Sequence, residues 1–133
     1  MSHSYIKIYI HVIWVVKRRR CALDKNIRSA LYRFLMKKSK ESEIPFLKLN
    51  IQPEHIHGLI YLPSHQKLSD FMHIIKGSSS YFLNKHFFET KFQWQTGYAA
   101  FSVGYRNLKT VCDYIENQDK HHSPRDSSWG IEG

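Results

Sequence analysis

Residues 46–62 read FLKLNIQPEHIHGLIYL and contain two short apolar runs separated by the dipeptide Pro53–Glu54. The runs at 46–52 and 55–62 each have the length and composition of a β-strand. So short a connection leaves only enough chain for a hairpin, which predicts that the two strands pair directly. The remaining elements can be placed around this hairpin.

The chain before the hairpin predicts one strand and one helix. Residues 5–16 alternate with a period of two, which is typical of a strand. One face carries Ile6, Ile8, Ile10, Val12, Trp14 and Val16, and the other carries Tyr5, Lys7, Tyr9 and His11. Asp24 is a candidate helix N-cap, and apolar residues recur at helical spacing from Ile27 to Leu35. This helix is expected to continue to about Lys40 and to end before Pro45.

The chain after the hairpin predicts a helix over 69–87 with Ser69 as its N-cap, loosened at the GSSS sequence of residues 77–80. Residues 92–105 predict a loop followed by a fourth strand. The segment 106–122 predicts a last helix with one apolar stripe. The stripe consists of Leu108, Val111, Cys112 and Ile115.

The predicted order is βαββαβ with an additional C-terminal helix, which indicates an α+β, ferredoxin-like fold with an antiparallel sheet and two helices on one face. The other face is left open, or is covered by the extra helix or by a partner. We expect a single domain over residues 1–133 with a flexible tail after about residue 122.

The composition favours a nucleic-acid partner. The chain has 20 Lys and Arg against 11 Asp and Glu, a formal charge of +9, and 14% aromatic residues. Its two cysteines do not make a disulfide framework, so the expected location is cytoplasmic. The first apolar run contains Lys7 and His11 and is too short to span a bilayer, so no membrane association is expected.

His55 and His57 are candidate metal ligands. Residues i and i+2 of a strand project from the same face, which places both imidazoles beside Leu59 and Tyr61. Two imidazoles on one face are a common start for a divalent-metal site. Two ligands do not make a site, and packed histidines would give the same pattern.

The last helix holds a second candidate pair. Tyr114 and Gln118 lie at i and i+4, one above the other, and point away from the apolar stripe of that helix. A tyrosine in this position can be a rim residue, a platform for base stacking or a nucleophile.

These segments together resemble a known family. PEHIHGLIYLP at 53–63 resembles the His–hydrophobic–His motif of the small single-strand DNA transposases of bacterial and archaeal insertion sequences, and YIENQ at 114–118 resembles their nucleophile helix. Three further segments resemble that family in the same order. They are HVIWVVKRRR at 11–20, IIKGSSS at 74–80 and WQTGYAAFSVG at 94–104. The related REP-associated tyrosine transposases share the histidine and tyrosine motifs.

The resemblance implies a role for each matching residue. His55 and His57 would be metal ligands, Gln118 the third ligand through its amide oxygen, and Tyr114 the nucleophile. The expected metal is Mg²⁺ or Mn²⁺, with zinc as the alternative that histidine favours. The implied activity is cleavage and rejoining of hairpin-marked single-stranded DNA through a 5′-phosphotyrosine, by a homodimer with composite active sites.

Other residues are candidates for DNA contact. Lys17, Arg18, Arg19 and Arg20 form a basic run that predicts phosphate binding, with a solvated basic turn as the alternative. Lys76 can assist in phosphate binding. Three aromatic residues could stack bases or pack in the core. They are Trp94, Tyr98 and Phe101. His11 shares a strand face with Lys7 and Tyr9 and can approach the site.

Two other functions fit the sequence. One is a non-catalytic module that binds hairpin DNA or RNA through its basic surface, and the other is a domesticated REP-associated relative. A two-histidine phosphoesterase is disfavoured because no second motif of that type is present.

Overall fold

A computed structural model of the protein describes residues 4–17 and 22–117. The strands are β1 (Tyr9–Val15), β2 (Phe46–Ile51), β3 (His55–Tyr61) and β4 (Ala99–Val103). The helices are α1 (Lys25–Glu41), α2 (Leu68–Leu83) and α3 (Leu108–Glu116). A π-helical turn, Asn84–Phe88, follows α2, and a 3₁₀ turn, Tyr105–Asn107, precedes α3.

The four strands form one antiparallel sheet in the order β2-β3-β1-β4. The hairpin predicted over 46–62 is confirmed as β2 and β3. The two long crossovers carry α1 and α2, and this is the predicted α+β, ferredoxin-like arrangement. Among the described residues, no helix is long and apolar enough to cross a membrane.

One sheet face packs against α1 and α2. Alternate residues of the central strands point to this face because of the two-residue period of a strand. They include Val12 and Trp14 of β1 and Ile56 and Ile60 of β3, which are all fully buried. Apolar stripes of the helices, such as Leu31 and Leu35 of α1, complete this core. The predicted division of both strands into two faces is therefore confirmed.

The opposite face carries a smaller apolar cluster beneath α3. Leu59 of β3, Val103 of β4 and Ile115 of α3 are its buried members. The rest of the predicted stripe, Leu108, Val111 and Cys112, packs around them. An exposed ion pair between Lys48 and Glu116 also joins β2 to the end of α3. The last helix therefore covers part of this face, which was one of the predicted alternatives.

The first strand is shorter than predicted, and α1 begins where predicted. Residues 4–8 lie beside the end of β3 without joining the ladder, and the carbonyl of Ile8 accepts a hydrogen bond from the Leu62 amide at 2.7 Å. Asp24 caps α1, since its carboxylate accepts from the Ile27 amide at 2.9 Å.

Helix α2 differs from its prediction at two points. It begins at Leu68 after Lys67, without a side-chain cap, so the predicted N-cap at Ser69 is wrong. The helix also continues through residues 77–80 without loosening. The hydroxyl groups of Ser78 and Ser80 donate hydrogen bonds to carbonyls of the preceding turn. These polar side chains are therefore accommodated without a break in the helix.

Gly58 is required by close packing in the first core. A Cβ atom at this position would lie 2.6 Å from Cε1 and 2.9 Å from Cδ1 of Phe46. The Phe46 ring is buried between Trp14 and Phe71, so it has little room to move. We expect Gly58→Ala to lower the free energy of unfolding by about 1–3 kcal/mol, measured by urea denaturation.

Gly77→Ala is the matched control for this substitution. Gly77 is exposed within α2, and a Cβ there would have no neighbouring atom within 4 Å. Alanine should stabilise the helix by about 0.5–1 kcal/mol. Equal stability changes in the two variants would contradict the packing argument.

Candidate active site

The two histidines of β3 lie next to each other on the sheet face that α3 covers. Their ring centroids are 5.0 Å apart and the ring planes are nearly perpendicular, at 74°. His55 is 5% exposed and His57 is fully buried. Their predicted common face is therefore confirmed, and both side chains are buried.

Tyr114 lies over the same part of the sheet. Its ring centroid is 6.0 Å from that of His57 and 6.2 Å from that of His11, with the rings edge-on. The side chain is half-buried and packs against the cluster beneath α3. The structure thus brings the predicted nucleophile and one predicted metal ligand together within a single chain.

His11 is a third histidine of this site; its strand face and its approach to the site were expected, but its contact with His57 was not. In the register of β1 and β3, His11 is opposite Leu59, and Ile13 is opposite His57. His11 and His57 are therefore diagonal neighbours, which aromatic side chains can bridge. Nε2 of His11 is 3.0 Å from Nδ1 of His57, a hydrogen-bond distance. Burial lowers the pKa of His11 to about 4, so its imidazole is neutral near pH 7.

The described residues supply two of the three side-chain ligands that were predicted for a divalent cation. Within residues 4–17 and 22–117, no three His, Cys, Asp or Glu side chains are arranged to hold a metal ion. His55 and His57 supply two imidazoles, and the predicted third ligand, Gln118, is outside the described residues. Two imidazoles and one amide oxygen fit Mg²⁺ or Mn²⁺ if water and phosphate oxygens complete the coordination. The ligand assignments stay predictions.

Two of the predicted DNA-binding residues meet at one cavity. Lys17 is exposed and lines a cavity of about 320 Å³ together with Lys76. Gly77, Ser80 and Thr96 are also in its wall. Arg18, Arg19 and Arg20 are outside the described residues, as is the predicted tail after residue 122.

Lys76 also has a structural contact that the sequence did not predict. Its ammonium group donates to the carbonyl oxygens of Gln95 at 2.9 Å and Gly97 at 2.6 Å, which ties α2 to the segment before β4. Burial lowers the pKa of this lysine. A role in DNA contact stays a prediction for both Lys17 and Lys76.

Lys76→Met should separate the structural contact from a general effect of charge. We expect it to lower the free energy of unfolding by about 1–2 kcal/mol, because two carbonyl groups lose a charged donor. Lys17→Met removes the same charge from an exposed position and should change stability by less than about 0.5 kcal/mol. Urea denaturation of both variants measures the difference. Equal losses would contradict a specific structural role for Lys76.

The three aromatic candidates occupy different environments. Trp94 is a core residue, 8% exposed, and its indole N–H donates to the Ser79 hydroxyl at 2.9 Å. Tyr98 packs partly against the same core. Phe101 is 43% exposed and lies directly opposite His11 in the sheet, with ring centroids 6.4 Å apart. Of these three, Phe101 is the one that borders the histidine site.

The sequence and the fold place this chain in a known class. The family model described as "Transposase IS200 like" matches residues 4–118, and the protein belongs to this transposase family. The chain is 30% identical to the transposase of insertion sequence element IS200 from Salmonella typhimurium over 124 residues, covering 89% of this chain and 81% of that protein. It is 24% identical to the ISDra2 transposase TnpA of Deinococcus radiodurans over 114 residues, 81% of each chain.

Two solved structures have the same fold. A crystal structure of a protein from Deinococcus radiodurans, described as a candidate transposase, has a TM-score of 0.72 at 22% identity, covering 89% of this chain and 95% of the other. A REP-associated tyrosine transposase bound to a REP hairpin has a TM-score of 0.69 at 20% identity, covering 100% of this chain and 87% of the other.

Proposed function

We propose that this protein is a metal-dependent transposase that cleaves and rejoins single-stranded DNA at hairpin-marked ends of an insertion sequence. The observation that carries the proposal is the position of Tyr114, whose ring is 6.0 Å from that of His57, next to His55. A hydroxyl nucleophile beside two imidazoles suits phosphoryl transfer. Membership of the transposase family supports this reaction over other phosphate chemistry.

The reaction assigned to Tyr114 is an exchange of one phosphate ester for another. An ordinary tyrosine phenol has a pKa of about 10, so it must lose its proton to attack. The phenolate oxygen bonds to phosphorus, the bond between phosphorus and the 3′-oxygen breaks, and that oxygen takes up a proton. The products are a 5′-phosphotyrosine and a free 3′-hydroxyl. The reverse exchange rejoins DNA without an external energy source, because the phosphotyrosine ester conserves the energy of the broken phosphodiester bond.

His55 and His57, together with Gln118, would hold the divalent cation. A bound Mg²⁺ or Mn²⁺ supplies neutralisation of phosphate oxygens and polarisation of phosphorus. The near-complete burial of both imidazoles fixes their orientation before any ligand arrives.

A folded DNA strand is the proposed substrate. Lys17, Arg18, Arg19, Arg20 and Lys76 would contact its phosphates. The cavity shared by Lys17 and Lys76 supports this assignment. The structurally similar REP-associated transposase is bound to a REP hairpin, which supports a hairpin as the recognised element.

The working form is proposed to be a homodimer in which the tyrosine helix of one subunit can complete the site of the other. In the single chain, Tyr114 lies beside the histidines of its own subunit. The polar connection from Gly104 to Asn107 would allow α3 to move between the two sites. A monomer at assay concentration that retains full cleavage activity would refute this arrangement.

The other candidate function is a non-catalytic module that binds hairpin DNA or RNA. It is favoured by the charge of +9 and requires no chemistry at Tyr114. The two functions differ in one product, a covalent link between the protein and DNA.

Formation of this link tests the proposal. The full chain would be incubated with Mn²⁺ and a labelled pool of single-stranded DNA hairpins that have randomised flanks. We expect an adduct that survives denaturing electrophoresis, disappears after protease treatment and does not form with a chelator. Binding of hairpins without any adduct would overturn the enzymatic proposal in favour of the binding module.

A further inference from the structure

The contact between His11 and His57 joins two histidines that are 46 residues apart in the chain. His11 is 7% exposed and His57 is fully buried. The contact follows from the register, which sets Leu59 opposite His11 and so makes His57 its diagonal neighbour. The contact is therefore set by the pairing of β1 with β3, the two central strands of the sheet.

A hydrogen bond between the two imidazole rings uses one proton, and the position of that proton has a chemical consequence. If Nδ1 of His57 carries the proton and donates to Nε2 of His11, then Nε2 of His57 is unprotonated and can donate its electron pair to a cation. If Nε2 of His11 donates instead, the proton of His57 is on its own Nε2. In that second case neither nitrogen of His57 can bind a cation without breaking the hydrogen bond or losing a proton.

We infer that His11 is a positioning residue that accepts the Nδ1 proton of His57 and so holds Nε2 of His57 ready for the metal. This inference rests on the proposed function, in which His57 is a metal ligand. Metal-binding histidines usually donate their second N–H to a carboxylate, a carbonyl or water, and the partner fixes the tautomer and the ring orientation. Here the imidazole of His11 takes that place.

The choice of an imidazole as the acceptor also affects the charge of the site. A carboxylate in the same place would add a negative charge beside a phosphate group that is itself an anion. An imidazole acceptor orients His57 without adding a negative charge. The edge-on packing of His11 against Tyr114, at 6.2 Å, extends this support to the ring of the proposed nucleophile.

The tautomer of His57 can be measured directly in the metal-free protein by ¹⁵N NMR of the imidazole nitrogens. We expect the Nδ1–H form in the wild-type chain. This measurement uses neither DNA nor metal, so it is independent of whether the protein cleaves DNA. Detection of the Nε2–H form of His57 in the wild-type chain would overturn the inference.

Two substitutions of His11 then separate the hydrogen bond from the bulk of the side chain. In His11→Gln the side-chain amide can reach the Nε2 position and accept the proton, whereas His11→Leu fills the space without an acceptor. Titration with Mn²⁺ in a Tyr114→Phe background, where no DNA chemistry can occur, gives the metal affinity. We expect His11→Leu to weaken Mn²⁺ binding by about 10–100-fold, and His11→Gln to retain most of it.

The matched control is His65→Leu, since His65 is exposed in the loop before α2. It should bind Mn²⁺ like the parent protein. Unchanged Mn²⁺ affinity in a folded His11→Leu variant would overturn the inference, and so would equal losses in the Gln and Leu variants. If His11→Leu does not fold, the tautomer in the wild-type and Gln chains still decides the question. Failure of the adduct assay alone would refute the enzymatic function and leave the tautomer result standing.

Discussion

Replacing Tyr114 with phenylalanine should abolish the covalent adduct with DNA while hairpin binding is retained. Phenylalanine preserves the ring that packs edge-on against His11 and His57 and removes only the hydroxyl group. Loss of the nucleophile itself should lower adduct formation by roughly 10³-fold or more. Hairpin affinity, measured by filter binding, should change by less than about twofold, because the proposed phosphate contacts are made by other residues.

Tyr105→Phe provides the control for this experiment. Tyr105 is 68% exposed and lies in the turn that leads into α3, so the same atom is removed from the same part of the chain. It should form the adduct like the wild-type protein. An adduct of undiminished yield from Tyr114→Phe would show that another group is the nucleophile.

Removal of either histidine of β3 should give the second largest effect. A divalent cation contributes several kcal/mol of charge stabilisation in phosphoryl transfer, and each 1.4 kcal/mol corresponds to a factor of about ten in rate. We therefore expect His55→Leu and His57→Leu to slow cleavage by about 10²–10⁴-fold. The measurement is the rate of adduct formation at saturating hairpin DNA and Mn²⁺.

Two variants are needed because His57 has a second function in the fold. It is fully buried and lies within hydrogen-bond distance of His11, so its removal also affects packing, whereas His55 is slightly exposed. His65→Leu is again the exposed control. Wild-type rates in a folded His55→Leu variant, or wild-type cleavage that persists in a chelator, would contradict the metal assignment.

The strands and helices whose apolar residues recur at a regular spacing were predictable from the sequence. The two-residue period of β1 and β3 and the helical spacing in α1 and α3 are local properties, so the apolar faces of these elements were predicted correctly. Tyr114 was expected to point away from the stripe of α3, and it packs against the same cluster instead. The common face of His55 and His57 follows from the same local rule. The family resemblance added Tyr114, and the structure placed its ring near His57.

The features that were missed depend on pairings between distant segments. The contact of His11 with His57 requires the register of β1 against β3, and a shift of one residue would turn His11 to the other face. The bonds from Lys76 to the carbonyls of Gln95 and Gly97 depend on where a loop lies over α2. Serine is a residue type that N-caps prefer, but α2 already begins at Leu68, before Ser69.

The attachment of α3 has a consequence for how Tyr114 can move. The helix was predicted over 106–122, but it begins at Leu108 and ends at Glu116, where Asn117 is its C-cap. Its nine residues are fewer than an isolated helix needs to be stable in water. Its exposed ion pair with Lys48 contributes little, so the apolar stripe around Ile115 supplies most of its stability. Detachment of α3 from the sheet should therefore also unfold the helix. The helix can stay folded after it detaches only if another apolar surface buries the same stripe.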